Sequence, residues 1–251
     1  IGASPLASVS FAGALFALLL VLVIGIATGI TTLVGNAHGE QNDTDIVQTV
    51  GNGFWSSLII ACALTALAFI CRPLLYFMGQ EQLIVDQAMP YFNLLAWSLI
   101  PLMCFMSLKH FADGLEWTKP GMVISIVANL LNVLLNYLLI FGKAGFPEMG
   151  LLGAGIATLI SRTIMALMAI GMLLWHPKLK EYSHALFKFK RSLKKTKDIL
   201  KLGIPIGTQY FLEAVCDQSL SNLNKEISAG SVSSKVYAPR FVSFAPWGSY
   251  L

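Results

Sequence analysis

The chain alternates long apolar runs with short polar connections, and this pattern predicts six membrane-spanning helices. The runs lie at about residues 9–34, 51–71, 88–108, 120–141, 151–175 and 199–217. Each is close to the ~20 residues that an α-helix needs to cross the ~30 Å hydrocarbon core of a bilayer. The runs are continuously apolar and do not alternate at period two, which favours helices over barrel strands. The expected fold is an all-α, polytopic transmembrane helical bundle.

The connection FADGLEWTKP (111–120) carries several charges between two of these runs. A polar loop of this kind is expected where the chain leaves the bilayer and turns back. Asp113 and Gly114 are expected to make the turn, with Thr118 capping the next helix. Pro120 then falls in the first turn of that helix, where its missing N–H costs little.

The composition supports a membrane protein. Of 251 residues, 56% are hydrophobic and 12% charged, with a mean hydropathy of +0.70, whereas soluble domains carry about a quarter charged residues. Nine of the seventeen Lys and Arg lie between Lys178 and Lys201, so the net charge of +4 describes one segment. Nucleic acid is therefore not an expected partner. The four cysteines show no CxxC or Cys/His spacing, so no metal is expected.

The basic segment sets the predicted orientation, because cytoplasmic loops are enriched in Lys and Arg. With residues 177–198 cytoplasmic, the connections at 35–50 and 111–120 are also inside, and those at 72–87 and 143–150 are outside. Apolar residues recur in the segment at helical spacing, namely Leu179, Tyr182, Leu186, Phe189 and Leu193. This stripe predicts a helix lying in the anionic leaflet. A solvated linker is the alternative.

Between residues 9 and 175 the predicted spans contain no Asp or Glu, and their one charge is Arg162. Arg162 lies mid-span, where a charge costs several kcal/mol unless it is paired or hydrated. It is expected to face a cavity or a partner; a structural arginine that satisfies neighbouring carbonyls is the alternative. Asn129, Asn132 and Asn136 share one helical face. Both interhelical hydrogen bonding and ligand binding are open to them.

The last span combines Pro205 with a polar cluster. Proline removes a backbone hydrogen bond, and a broken helix that exposes backbone beside a carboxylate is typical of transporter ion sites. Burial disfavours a charged carboxylate, so Glu213 is expected to exchange a proton or bind Na⁺, against a structural hydrogen-bonded acid. Asp217 lies one turn later and could assist, and Gln209 and Tyr210 are expected to shape the neighbourhood of Glu213. The Gly25-x₃-Gly29 motif of the first span indicates close helix packing.

Three stretches, in their order and spacing, resemble the multidrug and toxic compound extrusion (MATE) transporters. They are ATGITTLVGNAHGEQN (27–42), the stretch 108–158 that begins LKHFADGLEWTKPGMV, and LKLGIPIGTQYFLEA (201–215). The resemblance implies a multi-pass antiporter of the bacterial inner membrane, built from two six-helix lobes. It exports drugs or other amphipathic organic compounds in exchange for H⁺ or Na⁺. This chain corresponds to one lobe and the start of the other.

The resemblance also implies roles for single residues. Glu213 falls on an acid that many bacterial members use for cation coupling, and Asn132 and Asn136 match an amide-bearing helix. The six spans correspond to family helices two to seven, with residues 1–176 in the first lobe, 177–198 as the linker and 199–217 opening the second lobe. Residues 218–251 are polar and lack a long apolar run. The resemblance is expected to stop at Cys216, and the tail is expected to be disordered or frame-shifted.

The expected function is secondary antiport, with H⁺ or Na⁺ as the coupling ion and no other cofactor. The expected partners are the lipid bilayer and small organic substrates, and the intact protein is expected to be monomeric. One alternative is a flippase for lipid-linked precursors. Another is an inactive, truncated product, because half a transporter lacks the opposing lobe; the family's first helix, with its acid, is also expected to be missing. An enzyme is not expected, since the spans contain no Ser/His pair, paired Asp or HExxH zinc motif.

Overall fold

The computed structural model describes residues 3–70, 72, 82–143, 145, 147–176, 179–180, 182, 184–186 and 191–228. Within these residues the chain is helical and forms no strand. The α-helices are α1 (Ala3–Gly39), α2 (Asp43–Ile70), α3 (Gln82–Trp97), α4 (Leu99–Gly114), α5 (Thr118–Phe141), α6 (Gly150–Trp175) and α7 (Leu193–Ser228). A short 3₁₀ turn covers His184–Leu186. Every predicted span falls on these helices, with α3 and α4 together forming one.

Four helical segments in the described ranges are long and apolar enough to cross a membrane. They are Asp43–Ile70, Ala88–Gly114, Thr118–Phe141 and Gly150–Trp175. Their outer faces expose large apolar side chains, including Ile59, Ile70, Leu130, Val133 and Leu134. Apolar surface on this scale is unfavourable in water and suits contact with lipid. The predicted transmembrane all-α bundle is confirmed.

The predicted span 88–108 is interrupted at Ser98, between α3 and α4. Pro101 lies in the first turn of α4 and has no N–H, so the carbonyl of Trp97 lacks its usual intrahelical donor. The backbone N–H of Ser98 still donates to the carbonyl of Leu94 at 3.0 Å, and that of Leu102 to the carbonyl of Ser98 at 3.2 Å. The helix axis therefore continues, and the buried Ser98 hydroxyl is left at the junction.

Helices α1 and α7 pack together through glycines. Gly25 and Gly29 of α1 face Gly203 and Gly207 of α7, and a methyl group added to Gly25 would fall on the Gly207 backbone. A Cβ on Gly29 would lie 2.7 Å from the carbonyl oxygen of Ile199. The two backbones thus approach more closely than larger residues would allow. Of these four glycines, the sequence predicted close packing for Gly25 and Gly29 but not for Gly203 and Gly207.

Helix α7 runs unbroken through Pro205. The predicted broken helix is therefore wrong, and α7 also continues beyond residue 217 to Ser228. The hydroxyl of Thr208 donates to the carbonyls of Ile204 at 3.0 Å and Pro205 at 2.8 Å. The glycines on either side of Pro205 pack against α1, and the helix persists although Pro205 removes one hydrogen bond.

The hairpin between α4 and α5 differs in detail from the prediction. Residues 113–114 form the last turn of α4, and the chain reverses at Glu116, which has a φ of 60°. Thr118 is the first residue of α5 and does not cap it. Gly114 is required for a different reason, because a Cβ there would lie 2.8 Å from the side chain of Val34 in α1. The glycine at position 114 therefore permits close contact between α4 and α1, and the turn does not require it.

The described part of the basic segment packs on the bundle itself. Leu179 and Leu186 are only 1% and 6% exposed. The indole N–H of Trp55 donates to the carbonyl of Leu186 at 2.8 Å. The ring of Tyr182 meets that of Phe111 edge-on, with centroids 5.7 Å apart. Neither the helix in the leaflet nor the solvated linker describes these residues, because their apolar side chains bury against protein.

Polar contacts fasten the same region to α2. They are Tyr182 Oη to Asp43 Oδ1 at 3.0 Å, Lys195 Nζ to the Asp45 carboxylate at 2.6 Å, and the Ser192 N–H to Asn52 Oδ1 at 2.9 Å. The rings of Trp117 and His176 also meet, with centroids 3.7 Å apart. The connections at 40–42 and 115–117 and the described residues 176, 179–180, 182, 184–186 and 191–192 therefore share one end of the bundle, called here the basic end. The side of the membrane that it faces remains a prediction. Of the apolar stripe, Leu193 is exposed and Phe189 lies outside the described residues.

We expect Gly29→Ala to lower the free energy of unfolding by about 1–3 kcal/mol, since the added methyl group must push apart two helix backbones. Thermal unfolding in detergent, followed by circular dichroism, measures the effect. Gly171→Ala is the matched control, because its methyl group would meet only the Trp175 side chain, at 3.5 Å. Equal melting temperatures for the two variants would show that the glycine contact between α1 and α7, called here the glycine crossing, does not stabilise the fold.

Trp55→Phe should loosen the basic segment, because phenylalanine cannot donate to the Leu186 carbonyl. Limited digestion with trypsin should then cut between Lys188 and Lys197 several-fold faster, as followed by mass spectrometry. Trp175→Phe is the control, since Trp175 is 86% exposed. If both variants are cut at the wild-type rate, the indole hydrogen bond does not hold the segment.

Candidate functional site

A cavity of about 1000 Å³ lies between α1 and helices α3 to α7. Its wall is largely apolar. The polar side chains that line it are Tyr91, Ser125, Asn129, Asn132, Thr158, Ser161, Arg162, Tyr210, Glu213 and Asp217. An apolar cavity of this size with a few convergent polar groups is typical of a small-molecule site.

Six of the eight residues singled out from the sequence line this cavity. They are Asn129, Asn132, Arg162, Tyr210, Glu213 and Asp217. Gln209 is exposed and does not line it, and Asn136 lies one turn of α5 beyond the wall. The fold thus gathers amides from α5, a guanidinium from α6 and two carboxylates from α7 around one space.

The cavity lies beside the glycine crossing, on the same helix faces. On α7 the lining residues Tyr210, Glu213 and Asp217 continue the face that begins at Gly203 and Gly207, since steps of three or four residues stay on one side of a helix. On α1, the lining residues 17, 20, 21 and 24 precede Gly25 in the same way. The packing of these two helices therefore sets the position of the carboxylates.

Arg162 is held on the cavity wall by two contacts. Its Nη1 donates to the hydroxyl of Ser98 at 2.6 Å, and that hydroxyl donates in turn to the carbonyl of Leu95 at 2.7 Å. The guanidinium carbon lies 4.9 Å from the ring centroid of Phe16, within the range of a cation–π contact. The expectation of a cavity-facing arginine agrees with this geometry. Its described hydrogen bond goes to a hydroxyl, and not to backbone carbonyls.

The three asparagines of α5 differ in their contacts. Asn136 Nδ2 donates to Asn132 Oδ1 at 3.0 Å, and Asn132 Nδ2 donates to the Ser161 hydroxyl of α6 at 3.0 Å. This chain of hydrogen bonds ties α5 to α6. Asn129 is exposed and faces the cavity. Its amide is therefore accessible from the cavity.

The carboxylates of α7 differ in exposure. Glu213 is half-buried and Asp217 is exposed. No ion pair joins either of them to Arg162 in the part of the chain that the structure describes. The same part contains no group of three or more His, Cys, Asp or Glu side chains suited to a metal ion. The wall thus carries both signs of charge, separated from each other.

Sequence reasoning missed Ser98, Phe16 and Tyr91, which surround Arg162 or line its part of the cavity. Ser98 is a hydroxyl residue in an apolar run, three residues before Pro101. That spacing is a usable signal for a helix junction, but nothing in it indicates an arginine partner 64 residues away. Phe16 and Tyr91 carry no signal that separates them from ordinary core aromatics.

Comparison with known proteins decides the family. The family model described as MatE matches residues 1–138, more than half of the chain. The chain belongs to the MatE family. It is accordingly a multi-pass membrane protein, which agrees with the apolar helices of the described segments.

Curated relatives extend the match. A probable multidrug resistance protein NorM of Oceanobacillus iheyensis is 30% identical over 244 residues, covering 96% of this chain and 54% of the relative. One of Synechocystis sp. is 32% identical over 217 residues, covering 85% and 46%. The chain spans about half the length of the curated relatives it matches. The first alignment also extends beyond Cys216, further than the sequence motifs indicated.

Solved structures share the fold. A structure described as MATE in the straight conformation superposes with a TM-score of 0.79 at 21% identity, covering 91% of this chain and 50% of its own. An outward-facing conformation of a multidrug resistance MATE family transporter of the MOP superfamily gives 0.78 at 21% identity, covering 86% and 47%. The predicted all-α helical fold is confirmed by these matches, in which the chain covers about half of each solved structure.

Asn132→Leu should destabilise the protein, because it removes the α5–α6 hydrogen bond and leaves the amide of Asn136 without its acceptor. The expected loss in free energy of unfolding is about 1 kcal/mol, between the average of ~0.6 and the maximum of ~1.7 kcal/mol measured for such bonds in a membrane protein. Asn129→Leu is the matched control, on the same face of α5 but exposed to the cavity. If the melting temperature falls equally in both variants, Asn132 and Asn129 do not differ in the way assigned here.

Proposed function

We propose that this chain supplies half of a secondary antiporter that exports drugs or other amphipathic organic compounds in exchange for H⁺ or Na⁺. The observation that carries the proposal is the cavity, which joins a half-buried carboxylate on α7 to an apolar wall of drug-sized dimensions. The relatives named as multidrug resistance proteins support the same activity. Because those relatives are about twice as long, transport is proposed for the intact protein and not for the 251 residues alone.

Glu213 is the proposed coupling residue. It lies on the cavity wall at a step of three residues from Tyr210, with Asp217 one turn further along α7. A carboxylate within a membrane protein is costly while charged and unpaired, so it gains by taking up H⁺ or Na⁺. Asp217 adds a second acidic group on the same wall. The neighbouring Tyr210 hydroxyl is available as an oxygen ligand or a hydrogen-bond donor.

Exchange follows if a cation at Glu213 and an organic substrate in the cavity weaken each other's binding. Linkage requires that such an effect be reciprocal, so substrate entry releases the cation and cation uptake releases the substrate. Both ligands meet the same space here, because Glu213 and the apolar wall border one cavity. Opening that cavity to alternate sides of the membrane then converts a cation gradient into export.

The glycine crossing of α1 and α7 is the proposed pivot. Close contact between two smooth helix surfaces permits a small rotation without disrupting interlocked side chains, and packed helices of this kind shift by sliding or rotating. The crossing adjoins the cavity, so rotation of α7 about it would move Glu213 relative to α5 and α6. The contacts of the basic segment with α2 would limit that movement at the basic end.

A flippase for lipid-linked precursors remains the alternative within this architecture. A site for anionic lipid phosphates calls for several cations, since each phosphate group needs charge-assisted hydrogen bonds. Arg162 is the sole basic residue among those that line the described cavity. The balance of charge on this wall therefore favours export of small organic compounds.

Glu213→Gln in the intact protein should abolish cation-driven export while leaving expression and folding unchanged, because the amide is similar in shape but cannot exchange H⁺ or hold Na⁺ as a carboxylate does. The measurement is uptake of ethidium into everted membrane vesicles under an imposed H⁺ or Na⁺ gradient. Glu148→Gln is the control, since Glu148 is exposed in the connection between α5 and α6. Wild-type uptake by the Glu213 variant under both gradients would refute the assignment.

A further inference from the structure

We propose that the outer side of the first turns of α7 binds the headgroup of an anionic phospholipid in the leaflet at the basic end. The surface is formed by Lys194, Lys197 and Lys201 and is called here the lysine face. It differs from the apolar stripe of the basic segment, in which Leu179 and Leu186 are buried against the bundle. The inference concerns lipid binding and does not depend on the antiport proposal.

The first step is the arrangement of the three lysines. Their spacing of three and four residues places them on one side of α7, and all three are exposed. With 3.6 residues per turn, that side is opposite Gly203 and Gly207, which face α1. The lysine face therefore points away from the bundle.

The second step is charge. In the described ranges no ion pair involves any of the three lysines, whereas Lys195, on another side of the helix, is paired with the Asp45 carboxylate. One acid, the half-buried Asp198, lies beside the lysine face, and the exposed Arg191 precedes it. The surface thus carries excess positive charge. Each cation near a membrane surface contributes about fivefold to the affinity for anionic lipid.

The third step is the sequence of side chains that follows the lysines along the same side of α7. Ile204 and Leu212 continue that side and are exposed, and Trp175, at the basic end of α6, is exposed as well. Charged side chains that give way to apolar ones within one helical turn match the boundary between lipid headgroups and hydrocarbon. A tryptophan at the same end is typical of that boundary.

A lipid fits the lysine face better than an acidic protein surface does. Lysine is depleted in protein–protein interfaces, and the core of such an interface contains few charged residues. At a membrane, by contrast, the long apolar stem of lysine lies along the acyl chains while its ammonium group stays among the headgroups. An ammonium group also binds phosphate as a point charge, without the fixed geometry that a folded partner would have to match.

The test measures lipid binding to the purified protein by native mass spectrometry, in separate titrations with phosphatidylglycerol and phosphatidylcholine of the same acyl chains. We expect the wild type to bind phosphatidylglycerol about tenfold more tightly, as two or more surface cations would give. The double variant Lys197→Gln/Lys201→Gln should lower that ratio by about fivefold or more, because it removes two of the three charges. Its affinity for phosphatidylcholine should stay within about twofold of the wild type, since no charge of that lipid is lost to it.

Two control variants separate the lysine face from net charge. Lys119→Gln/Lys143→Gln removes the same charge from exposed positions at the two ends of α5 and should keep the wild-type ratio. Lys197→Arg/Lys201→Arg keeps the charges in place and should keep the ratio too. In case the glutamine variant does not fold, the wild type is also titrated at about 0.1 M and about 1 M ammonium acetate. The ratio should fall several-fold at the higher salt, because the screening length drops from ~10 to ~3 Å.

Equal binding of the two lipids by the wild type overturns the proposal. A preference that Lys197→Gln/Lys201→Gln leaves unchanged, or that the α5 control lowers by as much, overturns it as well. Thermal unfolding of the intact protein in detergent tests the other occupant. If the glutamine variant melts at a lower temperature without added lipid while its lipid preference is unchanged, the lysines contact protein and the lipid site is wrong.

Discussion

The close contact between the glycines of α1 and α7 is the constraint on which the rest of the arrangement depends. In a lipid environment helices gain little from the hydrophobic effect against each other, so contact of backbones through small residues is a principal source of association. Here a methyl group on Gly29 or Gly203 would reach backbone atoms of the other helix at 2.7 Å. This contact holds α7 against α1 at Gly203 and Gly207. The part of α7 that follows Gly207 therefore lies along the cavity, and it carries Glu213.

The two charged walls follow from that placement. Arg162 belongs to α6 and is fixed by a hydroxyl from the α3–α4 junction, whereas the carboxylates belong to α7. Without the α1–α7 contact, the acidic wall would have no fixed relation to the guanidinium. At the basic end the buried side chains of Leu179 and Leu186, with the Lys195–Asp45 pair, hold the start of α7 to α2. The crossing and this docking together define where α7 can move.

Much of the fold was predictable, because each span needs a length of apolar sequence that few other structures require. Arg162 and Glu213 were identifiable for a similar reason, since charges at membrane depth are costly and therefore rare. The hairpin turn and the path through Pro205 were predicted wrongly: Gly114 and the glycines beside Pro205 read as local backbone signals, but they serve contacts with α1. Ser98 and the docking of the basic segment depend on partners 64 and more than 100 residues away, which periodicity cannot indicate.

Cross-linking between α5 and α7 tests whether the two helices border the same cavity. On a cysteine-free background, cysteines at positions 129 and 213 are treated with a bifunctional methanethiosulfonate about as long as the cavity is wide. We expect a high yield of cross-linked product for this pair and a low yield for positions 129 and 209, since Gln209 is exposed and lies off the cavity wall. Equal yields for the two pairs, or no cross-link between 129 and 213, would contradict the placement of Glu213 and the role of the glycine contact that sets it.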